Sequence, residues 1–279
     1  MTGLSGWLPK QAICKVAVPY RVQWRIPHAR RATHPHPAMK RIPLFPLLHD
    51  GPSDVQVWRV DIDFAATLAD EAFSVLSGDE RAHARVFRRS EDALRFATVR
   101  AALREQLAST LATAPHALRL VRDAMGRPSL AETTSLDFNV SHSGAHGLIA
   151  LSMRRRVGVD IEQRSAHLDW RSLASLTLAG SEAAWLDEAS ADQRLEHFYD
   201  AWVAKEALLK TTGVGVVRGL QRLTVLPREG TQVRLRDHVP DEARNLAATW
   251  LAAPAGYATC VAWSTQERLV PLAGDGTFK

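Results

Sequence analysis

Cysteine is almost missing from this chain. Only Cys14 and Cys260 occur in 279 residues, and neither has a close-spaced partner for a metal motif. A reducing, cytoplasmic setting is the simplest expectation. No stretch approaches the ~18 uninterrupted apolar residues of a membrane-spanning helix, so no membrane association is expected. There is no Gly-x-x-x-x-Gly-Lys-Ser/Thr phosphate loop and no His-Glu-x-x-His zinc motif. Gly213-Val-Gly215 lacks the third glycine of a dinucleotide fingerprint, because position 218 is Arg. Acidic residues are absent from residues 1–38, which carry Lys10, Lys15, Arg21, Arg25, Arg30 and Arg31. The net charge of +5 is therefore a property of that segment, and the remainder sits near −1. Such a balance gives no reason to expect a nucleic-acid-binding surface on the folded body.

What is present reads as an ordinary soluble chain, 46% hydrophobic and 23% charged, long enough for one large domain or two smaller ones. Residues 1–50 are dense in Pro, His and Arg and have no sustained period. They read as a disordered basic, Pro-rich extension, and Met39 stands where a more compact protein could begin. Order is expected to start near Val55. VQVWRVDID alternates like a strand, though without a clean apolar face. SGDERAHARVF and SEDALRFATVRAALREQLAST read as helices with Ser77 and Ser90 as N-caps. In the second helix Phe96, Val99, Leu103 and Leu107 form a core stripe, while Arg95, Arg100 and Arg104 are expected to be solvated beside it. Further on, a strand and turn are expected around Gly126-Arg127-Pro128. A pair of strands follows, with a basic turn at Arg154–Arg156. Then come helices through Trp202, and strands at LQRLTVL, TQVRLRDH and GYATCVAWS. Strand, helix and strand-pair elements occur in each half, so the expected architecture is α+β with two similar lobes. The boundaries are 51–153 for the first lobe and 154–268 for the second, with 269–279 as a tail.

Three segments carry chemistry. In VGVDIEQ, Asp160 and Glu162 are two residues apart, which on a strand puts both carboxylates on one face and Val159 and Ile161 on the other. Two such acids near a core repel unless neutralised. A hard divalent cation such as Mg²⁺, which prefers oxygen ligands and bridges substrate phosphates, would do that. In HFYDAWVAKEALLKTTGVGV, Trp202, Glu206 and Lys210 stand one helical turn apart, so Glu206 offers a third oxygen ligand beside an ammonium. Alone, each pattern has a bland reading: two unrelated acids on a strand end, or a surface ion pair. The third segment is FNVSHSG, where Ser141 and His142 could donate to phosphate oxygens at a strand end. A Ser/His nucleophilic pair is the weaker reading, because no Gly-x-Ser-x-Gly elbow is present and adjacent strand residues point to opposite faces. His142 and His146 have helical metal-ligand spacing, but Gly144 and Gly147 argue against a helix there.

Taken together, from about Ser77 to Gly215, the SEDALRFATVRAALRE helix, the GRP turn, FNVSHSG, GVDIE and WVAKEALLKTTGVG resemble the Sfp-type 4′-phosphopantetheinyl transferases. The resemblance implies a pseudo-twofold fold with coenzyme A in the cleft between the lobes. It also implies transfer of the phosphopantetheine arm to a serine of an apo acyl or peptidyl carrier protein, releasing adenosine 3′,5′-bisphosphate. By position, Asp160, Glu162 and Glu206 fall on the Mg²⁺ ligands and Lys210 on the lysine near the transferring phosphate. Ser141 and His142 fall on positions that contact the coenzyme's 3′-phosphate end, and Arg127 and Arg95 on basic positions that also meet phosphate. Glu206, directly or through a water, is the implied base. Trp202 is mainly packing, and Lys205 is either structural or a phosphate contact. The length is similar to that of the broad-specificity monomeric members, so a monomer is expected. A non-catalytic carrier-protein or coenzyme A binding module on the same fold should have lost a metal carboxylate or Lys210, and this chain retains them all.

Overall fold

The computed structural model of the protein describes residues 41–122, 126–132, 134–213 and 219–268. The expectations for residues 1–40, for Gly215 and for the tail at 269–279 lie outside the described residues. Structure starts earlier than the alternation at Val55 suggests. Strand β1 (Leu44–Leu47) pairs antiparallel with β2 (Val55–Asp61), Leu44 opposite Val60, and Ile42 is buried in the core. The last ten residues of the supposed extension thus belong to the fold. Pro46, which has no N–H to give a ladder, hid the strand. It is tolerated because β1 is an edge strand.

Helix α1 (Gly78–Arg85) begins with a full capping box: Ser77 Oγ accepts from Glu80 N at 3.2 Å and Glu80 Oε2 accepts from Ser77 N at 2.8 Å. Helix α2 (Ser90–Leu111) takes Ser90 as its first residue, one position inside the expected cap. The expectation that Arg100 and Arg104 are solvated is wrong. Arg104 is 2% exposed and Arg100 8%, and both reach Glu80 of α1, Arg104 Nε at 2.6 Å and Arg100 Nη1 at 3.3 Å. Helical periodicity places them on a flank, and only the crossing of α1 over α2 supplies the carboxylate that makes their burial tolerable.

A short hairpin of β3 (Leu120–Arg122) and β4 (Pro128–Leu130) is followed by β5 (Asp137–Ser143), β6 (His146–Ser152) and β7 (Val157–Gln163). The supposed strand pair across Arg154–Arg156 is corrected here. β6 pairs with β2 and β5, whereas β7 belongs to another sheet, so the basic turn is where the chain crosses between sheets. Helices α3 (Trp170–Thr177), α4 (Gly180–Glu188) and α5 (Ala191–Thr212) follow, then β8 (Gln232–Val233), β9 (Leu246–Trp250) and β10 (Tyr257–Ser264). Two more corrections fall in this region. LQRLTVL is a 3-10 turn at Leu220–Arg222 and one isolated bridge, Thr224 to Arg236, rather than a strand. The strand β9 lies in a stretch from which none was expected.

The sheets are ordered β1-β2-β6-β5 and β7-β10-β9-β8. In each, a first strand (β2 or β7) leads to a 22-residue helix (α2 or α5) and then to an antiparallel hairpin whose second strand returns beside the first. The two lobes therefore share one topology. Three cores form four layers. Val60, Ile149 and Leu151 face α2, and Ala258, Cys260 and Ala262 face α5. Val55, Val57, Val159, Ile161 and Val261 pack sheet against sheet. This explains why β2 shows no single apolar face: Val55 and Val57 serve the inter-sheet core while Trp58, Val60 and Ile62 serve the α2 core.

Candidate active site

The edge strands β5 and β7 run alongside each other, and side chains take the place of a backbone ladder in the bonds that join them. Asp137 Oδ2 accepts from Val157 N (3.1 Å) and Asn139 Oδ1 from Val159 N (2.8 Å). Ser141 Oγ donates to Asp160 Oδ1 (2.7 Å). Ser143 Oγ donates to Glu162 Oε2 (2.8 Å) and accepts from Gln163 N (3.0 Å). The period of two along β5 sends every second residue across the seam. The intervening Phe138 and Val140 go to the α2 core.

Helix α5 lies directly on β7. Gly158 makes this approach possible, since a Cβ there would overlap Ala207 O and the Thr211 hydroxyl. The close contact carries Glu206 and Lys210 over the carboxylate face of β7. Ligand oxygens of Asp160, Glu162 and Glu206 all lie within 4.8 Å of one another. Lys210, 2% exposed, places Nζ 2.6 Å from Asp160 Oδ1 and 3.3 Å from Glu206 Oε2, and donates to Val159 O at 3.2 Å. The Ser141 hydroxyl stands 3.4 Å from the same ammonium. Trp202 Nε1 donates to Glu206 Oε1 at 2.8 Å, so the aromatic both packs against Phe198 and Tyr199 and orients this carboxylate. Gly213 ends α5 with φ of 79°, the left-handed position that favours glycine, which leaves Lys210 in the last turn where a cation suits the helix dipole.

Among the described residues, these three carboxylates gather around one ammonium, that of Lys210. Glu206 Oε2 is buried and accepts no hydrogen bond from the described residues. An all-oxygen donor set of this kind could hold a hard divalent cation. Asp160, Glu162 and Glu206 are the residues that would hold it.

The remaining expected site residues separate. Arg127 is buried at the seam, Nη1 donating to Lys210 O (3.3 Å) and Nη2 facing Asp137 Oδ1 (3.4 Å). Burial pushes the Asp137 carboxyl well above its usual range, against the opposing pull of Arg127 and Arg156. Arg95 donates from Nε to Gly144 O (2.6 Å), pairs with Asp92, and lies over the Phe64 ring at 5.1 Å, at the turn that follows Ser143. His142 is on the α2 face of β5, opposite Gly147, whereas Ser141 faces the carboxylates. Ser141 thus stands inside the acidic cluster, and His142 and Arg95 do not. Lys205 is structural: it is fully buried, paired with Glu182 of α4, and bonded to Thr177 O at 2.9 Å. Burial lowers its ammonium pKa, and Glu182 opposes that shift. Sequence reasoning missed Ser143, Asn139 and Asp137. The signal was there, in the polar residues at every second position of DFNVSHS, a pattern that matches no apolar alternation and marks a seam.

Residues 156–262 match the model of the 4′-phosphopantetheinyl transferase superfamily, and residues 66–154 match the N-terminal 4′-phosphopantetheinyl transferase model. The chain is 34% identical over 222 residues to slr0495 of Synechocystis sp., provisionally named a 4′-phosphopantetheinyl transferase, covering 76% of this chain and 88% of that protein. It is 31% identical over 186 residues to the 4′-phosphopantetheinyl transferase HetI of Nostoc sp., covering 66% and 77%. It is 26% identical over 179 residues to a 4′-phosphopantetheinyl transferase of Bacillus subtilis, covering 64% and 75%.

Proposed function

The chain belongs to the 4′-phosphopantetheinyl transferase superfamily, and on that footing we propose that it moves the phosphopantetheine arm of coenzyme A to a serine hydroxyl of an apo acyl or peptidyl carrier protein, with Mg²⁺, releasing adenosine 3′,5′-bisphosphate. The observation that carries the Mg²⁺ site and the residue roles is the buried cluster of Asp160, Glu162 and Glu206 beside Lys210, with two lobes of equal topology meeting at it. Phosphoryl transfer asks a protein mainly to position the reactants and to neutralise developing charge. When bound, Mg²⁺ supplies charge neutralisation at the pyrophosphate of coenzyme A.

The carrier serine oxygen forms a bond to the β-phosphorus, and the pyrophosphate P–O bond to the adenosine bisphosphate oxygen breaks. Glu206, directly or through a water, takes the serine proton. Its Oε1 is held by Trp202, and its Oε2, which lies 3.3 Å from the Lys210 ammonium and accepts no hydrogen bond from the described residues, is the oxygen left to accept. Lys210 stabilises, or gives a proton to, the departing phosphate. Ser141, on the same cluster, and Arg127, at the end of α5, belong with the phosphates of coenzyme A. Arg95 and His142 lie farther along β5 and its turn, and belong with the 3′-phosphate end. No described helix is long and apolar enough to cross a membrane. The protein acts in the cytoplasm as a monomer, without nucleic acid.

The test is the intact mass of an apo carrier protein incubated with this protein, coenzyme A and Mg²⁺. A mass gain of one phosphopantetheine arm that disappears with EDTA, and with Asp160→Ala, is the expected result. No gain across acyl and peptidyl carriers, with coenzyme A still bound, would leave a binding module on the same fold.

A further inference from the structure

Each metal-facing carboxylate of β7 is met by a serine from the opposite lobe, Asp160 by Ser141 and Glu162 by Ser143. We propose that Ser143 is a positioning residue for Glu162, so that the side-chain seam between β5 and β7 sets the geometry of the cation site. This rests on the reading of Asp160, Glu162 and Glu206 as the ligands of a divalent cation.

A serine hydroxyl carries one proton and two lone pairs. Ser143 Oγ accepts from Gln163 N, which can only donate, so the hydroxyl proton is left to point at Glu162 Oε2. The orientation of this hydroxyl is therefore fixed by the backbone of β7 itself, one residue beyond the carboxylate it holds. The serine backbone is fixed as well. Gly144, next in the chain, gives its carbonyl to Arg95 Nε at 2.6 Å, and Ala145 N donates to the Tyr257 hydroxyl at 2.8 Å. A Cβ at Gly144 would overlap Tyr257 and Gln163, so the turn is seated tightly against β7 and β10.

The three carboxylates are consequently held by different means. Glu206 is oriented from within its own helix by Trp202, whereas Asp160 and Glu162 each take a serine hydroxyl from across the seam, Asp160 meeting Lys210 of α5 as well. A small relative shift of β5 and β7 would alter two of the three ligands together. Groups that orient a ligating carboxylate typically change metal affinity by about 10- to 100-fold when removed.

The test is a Mn²⁺ titration of the full chain with coenzyme A present, reading the electron paramagnetic resonance signal of free Mn²⁺. Ser143→Ala should weaken Mn²⁺ binding by roughly 10-fold, and Ser143→Thr, which keeps the hydroxyl, should restore it. In turnover, Ser143→Ala should raise the Mg²⁺ concentration for half-maximal rate while kcat at saturating Mg²⁺ recovers. In a Glu162→Ala background, which removes the acceptor of Ser143, Ser143→Ala should have no further effect on Mn²⁺ affinity. Wild-type Mn²⁺ affinity in Ser143→Ala, or an undiminished loss in the Glu162→Ala background, would overturn the proposal. A wild-type protein that binds no Mn²⁺ would refute the cation reading itself. If Ser143→Ala does not fold, Ser143→Cys, close in size but a weak donor, carries the same expectation.

Discussion

The two lysines of the W-x-x-K-E-x-x-x-K helix should behave in opposite ways, and Lys205→Met exposes the difference. Lys205 is fully buried, and its ammonium is enclosed by Glu182 and Thr177 O. Glu182, 1% exposed, also accepts from Ala179 N (2.9 Å), Val225 N (2.7 Å) and Leu226 N (3.1 Å), so it ties α4 and the segment after α5 to the helix. Methionine fills nearly the lysine volume but leaves Glu182 as a buried anion without its counter-charge. Removing one partner of a buried pair costs about 3–5 kcal/mol. At roughly 2–4 °C per kcal/mol for a chain of this size, the melting temperature should fall by roughly 10 °C. Turnover of the folded enzyme well below that transition should stay near wild type, because the Lys205 ammonium is engaged by Glu182 and Thr177 O rather than by the carboxylate cluster. Adding Glu182→Gln, which keeps an acceptor for Val225 N and Leu226 N while removing the stranded charge, should recover part of the loss. Circular dichroism melts and steady-state carrier-modification rates measure both quantities. A large fall in kcat with an unchanged melting temperature would refute the structural role and put Lys205 in contact with substrate.

Glu206→Gln keeps the size and an acceptor for Trp202 Nε1 but removes the base, and should lower kcat by about 10²-fold or more; turnover within a few-fold of wild type would sink the base assignment. Gly158→Ala forces a methyl group against the backbone oxygen Ala207 O, which cannot rotate away. It should cost roughly 1–3 kcal/mol in urea unfolding and reduce activity together with stability, since α5 must lift off the carboxylates. Glu80 tests the electrostatics of the first lobe. Burial alone would raise its pKa, but the Arg104 and Ser77 N hydrogen bonds and the charges of Arg100 and Arg104 bring it below the usual glutamate value. A depressed folded pKa means that the contribution is present above the unfolded value and lost as pH falls through the folded one. Glu80→Gln should therefore be markedly less stable than wild type near pH 7, with the gap closing in acid; a pH-independent gap in chemical unfolding would contradict this.

Local sequence was sufficient wherever a residue's role depends on period or on near neighbours. The spacing of Asp160 and Glu162 set both on one face of β7, and the four-residue steps from Trp202 to Glu206 to Lys210 set one face of α5, whatever the rest of the chain does. The capping box at Ser77 likewise involves only residues of its own turn. A strand and a long helix in each half were visible in outline, though neither returning hairpin was, and the family was visible because motif spacing is itself a local property. What local sequence could not decide is which elements meet. Arg100 and Arg104 look like solvent-facing helix residues until α1 brings Glu80 to them. Lys205 and Lys210 occupy equivalent-looking places in one helix, yet one meets the α4 carboxylate and the other meets β7. β1 escaped notice because only its position at a sheet edge excuses Pro46, and β9 because its residues LAATW acquire a strand's two faces only between β8 and β10. The seam of Asp137, Asn139, Ser141 and Ser143 is the clearest case. Its polar alternation is written in the chain, but its meaning depends on β7 lying alongside, a contact between lobes that the tertiary structure alone establishes, because hydrogen bonds over that span arise only when two separately folded sheets are packed face to face.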